Sequence, residues 1–293
     1  MKGIIKFIVI FSAVVMLLIL LFFLYNYFWG PKYTTDSHEI DEDFNDVSIS
    51  TDTADIIFLP SEDGKCRVVF HTLESQTNSV KVKDGRLCID TLNGKKWYEH
   101  IRIDFDTPMI TVYLPRGEYA RLTVKRSTGD VEIPKDFSFD SIDISGSTGD
   151  AICSASAESS IRIEQSTGDI TLTDLTCNGN ITTKVSTGNT FLTNVRCESL
   201  ISDGSTGKLS ITNLIAEKKI KIERDTGNVK LDKCDAGEIF IKTDTGKVVG
   251  TLLSNKIFSV STDTGKIEIP KSADGGRCEI ITDTGNIKIS IVN

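Results

Sequence analysis

The sequence predicts an all-β fold: a single-stranded parallel β-helix of about 19 to 20 residues per coil, with a β-rich N-terminal cap and one N-terminal transmembrane helix. Three observations predict it. The first thirty residues hold an uncharged apolar stretch, a glycine tripeptide recurs nine times at near-constant spacing, and period-two alternation keeps a fixed phase to each glycine.

The apolar stretch runs from Phe7 to Trp29, with only Ser12 and Asn26 clearly polar. At about 1.5 Å per residue it is long enough to span a hydrocarbon core of about 30 Å. A cleaved signal peptide has a shorter apolar region and a small-x-small site, whereas Leu20 to Leu24 run here straight into Tyr25, Tyr27 and Trp29. Lys2 and Lys6 precede the stretch, and Asp36, Glu39, Asp41, Glu42 and Asp43 follow it. The positive-inside rule then puts the N-terminus in the cytoplasm and the rest outside, as a single-pass protein of the cell membrane.

The repeat reads Ser-Thr-Gly at Gly129, Gly149, Gly168, Gly188 and Gly207, then Asp-Thr-Gly at Gly227, Gly246, Gly265 and Gly285. A repeat of this length is a solenoid signature. Positions two and four after each glycine are mostly apolar, as in Val131/Ile133 and Ile287/Ile289, and so are positions seven and five before it, as in Ile161/Ile163. These are two alternating strands per coil. A third inward position is expected at Leu175, Val195, Leu214, Cys234 and Leu253, with the one-residue slack of the repeat absorbed in a loop between the two strands. Such coils bury their apolar faces only by stacking in parallel, and the strong hand preference of parallel crossovers makes the expected coil right-handed.

At the corner, glycine supplies a strained backbone, and the Ser or Asp two residues earlier is expected to cap nearby amides. Thr128, Thr148, Thr167, Thr187, Thr206, Thr226, Thr245, Thr264 and Thr284 precede the glycines. We read them as a structural ladder of hydroxyl hydrogen bonds. A threonine nucleophile is disfavoured, because no His or free amine stands by to activate it. Asp225, Asp244, Asp263 and Asp283 could form a calcium ladder, but the glycine-rich nonapeptide of calcium-binding rolls is missing, so no metal and no cofactor is expected.

Ala54 occupies the glycine position of a degenerate first coil, with Val47 and Ile49 before it and Ile56 and Phe58 after. Between residues 61 and 121 longer alternating runs, separated by Asp84-Gly85 and Asn93-Gly94, predict the β cap. Trp97, Tyr98, His100 and Tyr113 cluster in this segment and form the candidate ligand patch, although packing of the cap is the favoured reading, since aromatic residues commonly cover an exposed sheet end. At the other end Ile287, Ile289 and Ile291 still alternate near Asn293, so the last coil is expected to present a bare edge open to homo-association. The chain thus divides into residues 1–30 (cytoplasmic tip and signal anchor), 31–45 (juxtamembrane linker), 46–126 (first coil and cap) and 127–293 (the nine-repeat solenoid).

Composition narrows the function. The net charge is −8, with Lys2 and Lys6 the only charges before Pro31, so the part beyond the apolar stretch is acidic and nucleic acid is an unsuitable partner. Tyr and Trp are absent after Tyr119, and only three His occur. Seven Cys is an odd number, excluding a complete disulfide framework, and their spacing matches no metal motif. Cys177 and Cys197 fall on adjacent coils and are read as small buried apolar residues.

The run Met109-Ile110-Thr111-Val112-Tyr113-Leu114-Pro115, then Leu122-Thr123-Val124, then repeated Ser-Thr-Gly-Asp, resembles the bacterial candidate-adhesin family of β-strand-repeat domains of unknown function. The likeness covers roughly residues 40 to 293. It implies an extracytoplasmic β-helix and an adhesin role, and it carries over no catalytic residue. The combined expectation is a membrane-anchored, non-catalytic binding or envelope-sensing module whose partner is a cell-envelope polymer or protein. A self-assembling structural element is the second reading, and a carbohydrate-active enzyme the third.

Overall fold

The computed structural model describes residues 11–21, 24, 32–92 and 107–292. Residues 11–21 are helical, and among the described residues no helix is long and apolar enough to cross a membrane. Part of the expected span, at residues 7–10, 22–23 and 25–29, lies outside the described residues, as do Trp97, Tyr98, His100 and the Asn93-Gly94 turn.

Seven strands build the N-terminal end: β1 (Tyr33–Ile40), β2 (Asp46–Thr53), β3 (Asp55–Pro60), β4 (Cys66–Leu73), β5 (Thr77–Lys83), β6 (Arg86–Leu92) and β7 (Met109–Leu114). β2 and β3 form the first coil, turning at the buried Ala54. β6 and β7 stack in parallel on the outer sides of β2 and β3. β4 then lies antiparallel between β7 and β1, and β5 antiparallel to β6, across a turn in which Asp84 and Gly85 take φ of 53° and 72°. The cap is therefore a change from parallel to antiparallel pairing within one continuous sheet. β1 falls in the segment expected to be a linker; its full-length pairing with β4 makes it part of the cap.

Beyond the cap come β8 (Gly117–Thr128), β9 (Val131–Ile133), β10 (Phe137–Thr148), β11 (Ala151–Cys153), β12 (Ser156–Thr167), β13 (Ile170–Thr187), β14 (Thr190–Thr206), β15 (Leu209–Thr226) and β16 (Val229–Thr245). Each coil stacks on the last in parallel and in register, Ile142 over Leu122 and Ile161 over Ile142. The expected inward rows are the core: Leu122, Ile144, Ile161, Ile163, Ile220 and Ile241 are all at most 1% exposed. Burying each such side chain stabilises the coil by about 1.5–3 kcal/mol.

Three corners separate three strand segments per coil. The second is made by Asp174, Asn194, Asn213 and Lys233, all with φ of 54–55°, a region that Asn and Asp tolerate best. The third absorbs the slack, through Asn178–Gly179, Glu198, Glu217–Lys218 and Gly237 in successive coils, where the register shifts. The coil of Gly246 lacks the left-handed residue of the second corner, so β17 (Val248–Leu252) is shorter. Consequently Leu252 and not Leu253 points inward: Leu252 is fully buried opposite Cys234, and Leu253 is 39% exposed.

The last strands are β18 (Lys256–Thr264), β19 (Ile267–Glu268), β20 (Gly276–Thr284) and β21 (Ile287–Ile291), and they do not stack in chain order. β20 lies between β16 and β18, and β21 between β17 and β19. The coil of Gly285 is thus slotted between those of Gly246 and Gly265. This corrects the expected bare edge: Ile287 and Ile289 are buried, and the open rung is the coil of Gly265.

The column just after the glycines supplies the reason. In spatial order it reads Asn189, Lys208, Asn228, Lys247, Asn286, Lys266, an unbroken alternation. Each Asn Oδ1 accepts the backbone N–H of the following Lys, at 3.2 Å for Lys208, 2.8 Å for Lys247 and 2.9 Å for Lys266. Stacking in chain order would put Lys247 beside Lys266, two like charges with no acceptor between them.

Candidate functional site

The repeated corner is the feature that the sequence singles out, and it is built from four adjacent columns. The glycine N–H of each coil donates to the carbonyl of the Thr in the next, for example Gly149 to Thr167 at 3.0 Å. At Gly168, φ is 125°, and an added methyl would overlap the carbonyl oxygen of Gly149. Ala54 is tolerated because it begins the column, and Gly129 is the residue that packs onto its carbonyl.

The capping is done by the residue after each glycine, three positions later than expected. Asp150 N–H donates to Asp130 Oδ1 at 2.7 Å, Asp169 N–H to Asp150 Oδ1 at 2.7 Å, and Asn189 N–H to Asp169 Oδ1 at 2.7 Å. Asp130 N–H reaches Asp55 in the same way, at 2.8 Å. Among the described residues the side chains of the Ser/Asp column, Ser127 to Asp283, form no hydrogen bond, and neither do the hydroxyls of Thr128, Thr148, Thr167, Thr187, Thr206, Thr226, Thr245, Thr264 and Thr284. All of them are exposed. The expected hydroxyl ladder is therefore replaced by a backbone ladder and a carboxylate-amide ladder, and two polar columns are left facing solvent along the whole rod.

Behind the corner runs a column that the sequence reading missed, three residues before each glycine. In spatial order it reads Arg126, Gly146, Gln165, Val185, Gly204, Arg224, Thr243, Thr282 and Thr262. Arg126 is 5% exposed and donates to the carbonyls of Gly129, Gly149 and Asp150 and to Gln165 Oε1, at 2.5–3.2 Å. Arg224 is 3% exposed and donates to Thr190 Oγ1 at 3.2 Å and Ser202 Oγ at 2.9 Å; Ser202 also accepts from Thr183 at 2.9 Å. These hydroxyls explain why Thr183, Thr190 and Ser202 occupy otherwise apolar inward positions. Each guanidinium lies in the space left by a neighbouring glycine, Gly146 for Arg126 and Gly204 for Arg224. Burial lowers the pKa of Arg224 to about 10, opposed by the Asp203 charge. Period-two counting carried one step further toward the corner exposes this column in the sequence.

Of the candidate ligand patch only Tyr113 is described: it is half-buried on β7, beside Leu59 and opposite Arg67, whose guanidinium carbon lies 6.0 Å from the ring centre. Tyr119, Phe44, Phe137 and Phe139 form the aromatic packing where cap meets rod, and Tyr119 donates its hydroxyl to Pro115 O at 2.7 Å.

All seven cysteines are free thiols, and only Cys88 is not buried. Burial pushes Cys66, Cys153, Cys197 and Cys278 up from 9.0 to about 12. A raised folded-state pKa stabilises the fold fully below the unfolded value, and that contribution is lost as pH rises toward the folded one. Stability is therefore expected to fall from about pH 9 toward pH 12, as read by urea midpoints, and Cys197→Ala flattens the decline. Native labelling at neutral pH modifies Cys88 first and the other six only on unfolding.

Comparison with known proteins agrees with this geometry. The Toastrack DUF4097 family model matches twice, over residues 44–175 and 151–293. The chain belongs to the Toastrack DUF4097 family. Two solved structures resemble it: a candidate adhesin from Bacteroides fragilis, 17% identical with a TM-score of 0.51, and one from Parabacteroides distasonis, 14% identical with a TM-score of 0.52. The first covers 89% of this chain and 97% of its own, the second 88% and 97%. No curated protein matches the chain. At such identities the likeness establishes the Toastrack fold alone.

Proposed function

We propose that the protein is a non-catalytic, adhesin-like binding or envelope-sensing module, held in the cell membrane by the apolar stretch from Phe7 to Trp29 with its solenoid outside. The observation that carries this reading is the surface of the rod: exposed Ser/Asp and Thr columns repeat at the glycine corner of each coil, and an ordered Asp174–Asn194–Asn213 ladder, bonded at 2.6 and 2.9 Å, lines the second corner. A periodic polar surface suits a periodic polymer or an extended protein partner better than a single small substrate. Of the described histidines, His38 meets Phe70 edge-on and His71 stacks on Tyr33, both in the cap, and no described His adjoins the threonine column. This supports a role without nucleophilic chemistry.

The test uses the full chain in a bacterial host. Retention in the membrane fraction after a high-salt wash, digestion of the solenoid by protease added outside, and sedimentation with isolated cell-wall polymer are the expected results. Release by salt overturns the anchor; failure to bind any envelope fraction overturns the binding role.

A further inference from the structure

We propose that the outermost coil, residues 256–269, pairs with the same coil of a second copy, joining two rods tip to tip about a two-fold axis. β18 and β19 are paired on one side only, to β20 and β21, so their other sides offer free backbone donors and acceptors. Core positions come to the surface with them. Ile267 is 43% exposed, whereas Ile287, its partner one coil inward, is fully buried; Phe258 and Val260 are half-buried over the buried Cys278 and Ile280. A recess of about 650 Å³ opens between Ile257, Phe258, Ile267, Ile269 and Pro270.

The charges point to a second copy as the occupant. With Lys256 buried and paired to Asp235 at 2.6 Å, the exposed charges of residues 253–275 are Lys266 and Lys271 against Asp263, Glu268 and Asp274, a nearly balanced tip on a chain of net charge −8. Antiparallel pairing centred on Ile267 sets Lys266 opposite Glu268 of the second copy, and the symmetry repeats the match. Head-to-tail stacking lacks a matching surface, since the other end of the rod is continued by the antiparallel strands β1, β4 and β5. The pairing itself is independent of the proposed anchor, and only its orientation rests on that reading. β1 follows the apolar stretch directly, so the cap is the membrane-proximal end and tip pairing joins copies on facing membranes.

Sedimentation equilibrium of the full chain in detergent tests the pairing. The wild type is expected to dimerise, and Lys266→Glu and Glu268→Lys each to weaken association by roughly tenfold or more, because each sets like charges across both symmetric contacts. An equimolar mixture of the two variants restores dimers, since the mixed pair has opposite charges at both contacts. Lys266 and Glu268 are exposed, and the Glu268–Lys288 ion pair at 2.9 Å lies on the surface, so both variants should keep the wild-type circular dichroism. A monomeric wild type, with or without an apolar ligand in the recess, overturns the proposal. So does self-association unchanged in both variants, or a mixture that stays monomeric. Vesicles bearing the chain are expected to cluster; dimers in detergent without clustering would refute the facing-membrane orientation while leaving the pairing intact.

Discussion

Replacing Gly168 with alanine is expected to destabilise the protein by about 4 kcal/mol. Two terms combine. A residue with a side chain at φ 125° is strained by about 1–3 kcal/mol, and the methyl also overlaps the Gly149 carbonyl, which cannot retreat without shifting the coil beneath. Ser166→Ala, two residues away in the exposed column, is expected to change stability by no more than about 0.5 kcal/mol. Urea midpoints of the two variants make the comparison. Equal effects would mean that the coils do not stack at the glycines.

The second large effect concerns the buried Arg224 and the glycine that makes room for it. Arg224→Val removes the guanidinium from Ser202 and Thr190 and leaves a cavity, at a cost of about 3 kcal/mol. Gly204→Ala forces its methyl against Arg224 Nη1 in an enclosed space and costs about 2 kcal/mol. Because each substitution relieves the other, the double variant is expected to be more stable than the sum predicts by about 2 kcal/mol. Additivity in this double-mutant cycle would show that the two residues do not share one space.

Much of the architecture was legible because a solenoid repeats its instructions. Period-two alternation and a fixed glycine phase give the strands, the inward rows and the corner with little dependence on distant context. Three things were hidden. The buried arginine column reads locally as surface charge, since Arg126 and Arg224 look solvated until their glycine neighbours one coil away are seen. The amide-capping role passes from Ser127 and its equivalents to Asp130 and its equivalents because the acceptor serves the next coil, a relation nineteen or twenty residues long. Stacking order was hidden for the same reason: which coil lies beside which depends on pairwise fit, and only the Asn–Lys column records it. Of the candidate ligand patch, Tyr113 lies on β7, where it packs beside Leu59 and Arg67.

The slotted order of the last two coils decides which surface the rod presents at its tip, and hydrogen exchange on the full chain reads it directly. If the coil of Gly285 lies inside, the amides of residues 277–284 are paired on both flanks and are expected to exchange as slowly as those of β14 and β15. Residues 256–264, on the open rung, are expected to exchange much faster in the monomeric Lys266→Glu variant, where no second copy covers them. The reverse pattern, with residues 277–284 fraying and 256–264 protected, would mean that the coils stack in chain order and that the tip lies elsewhere.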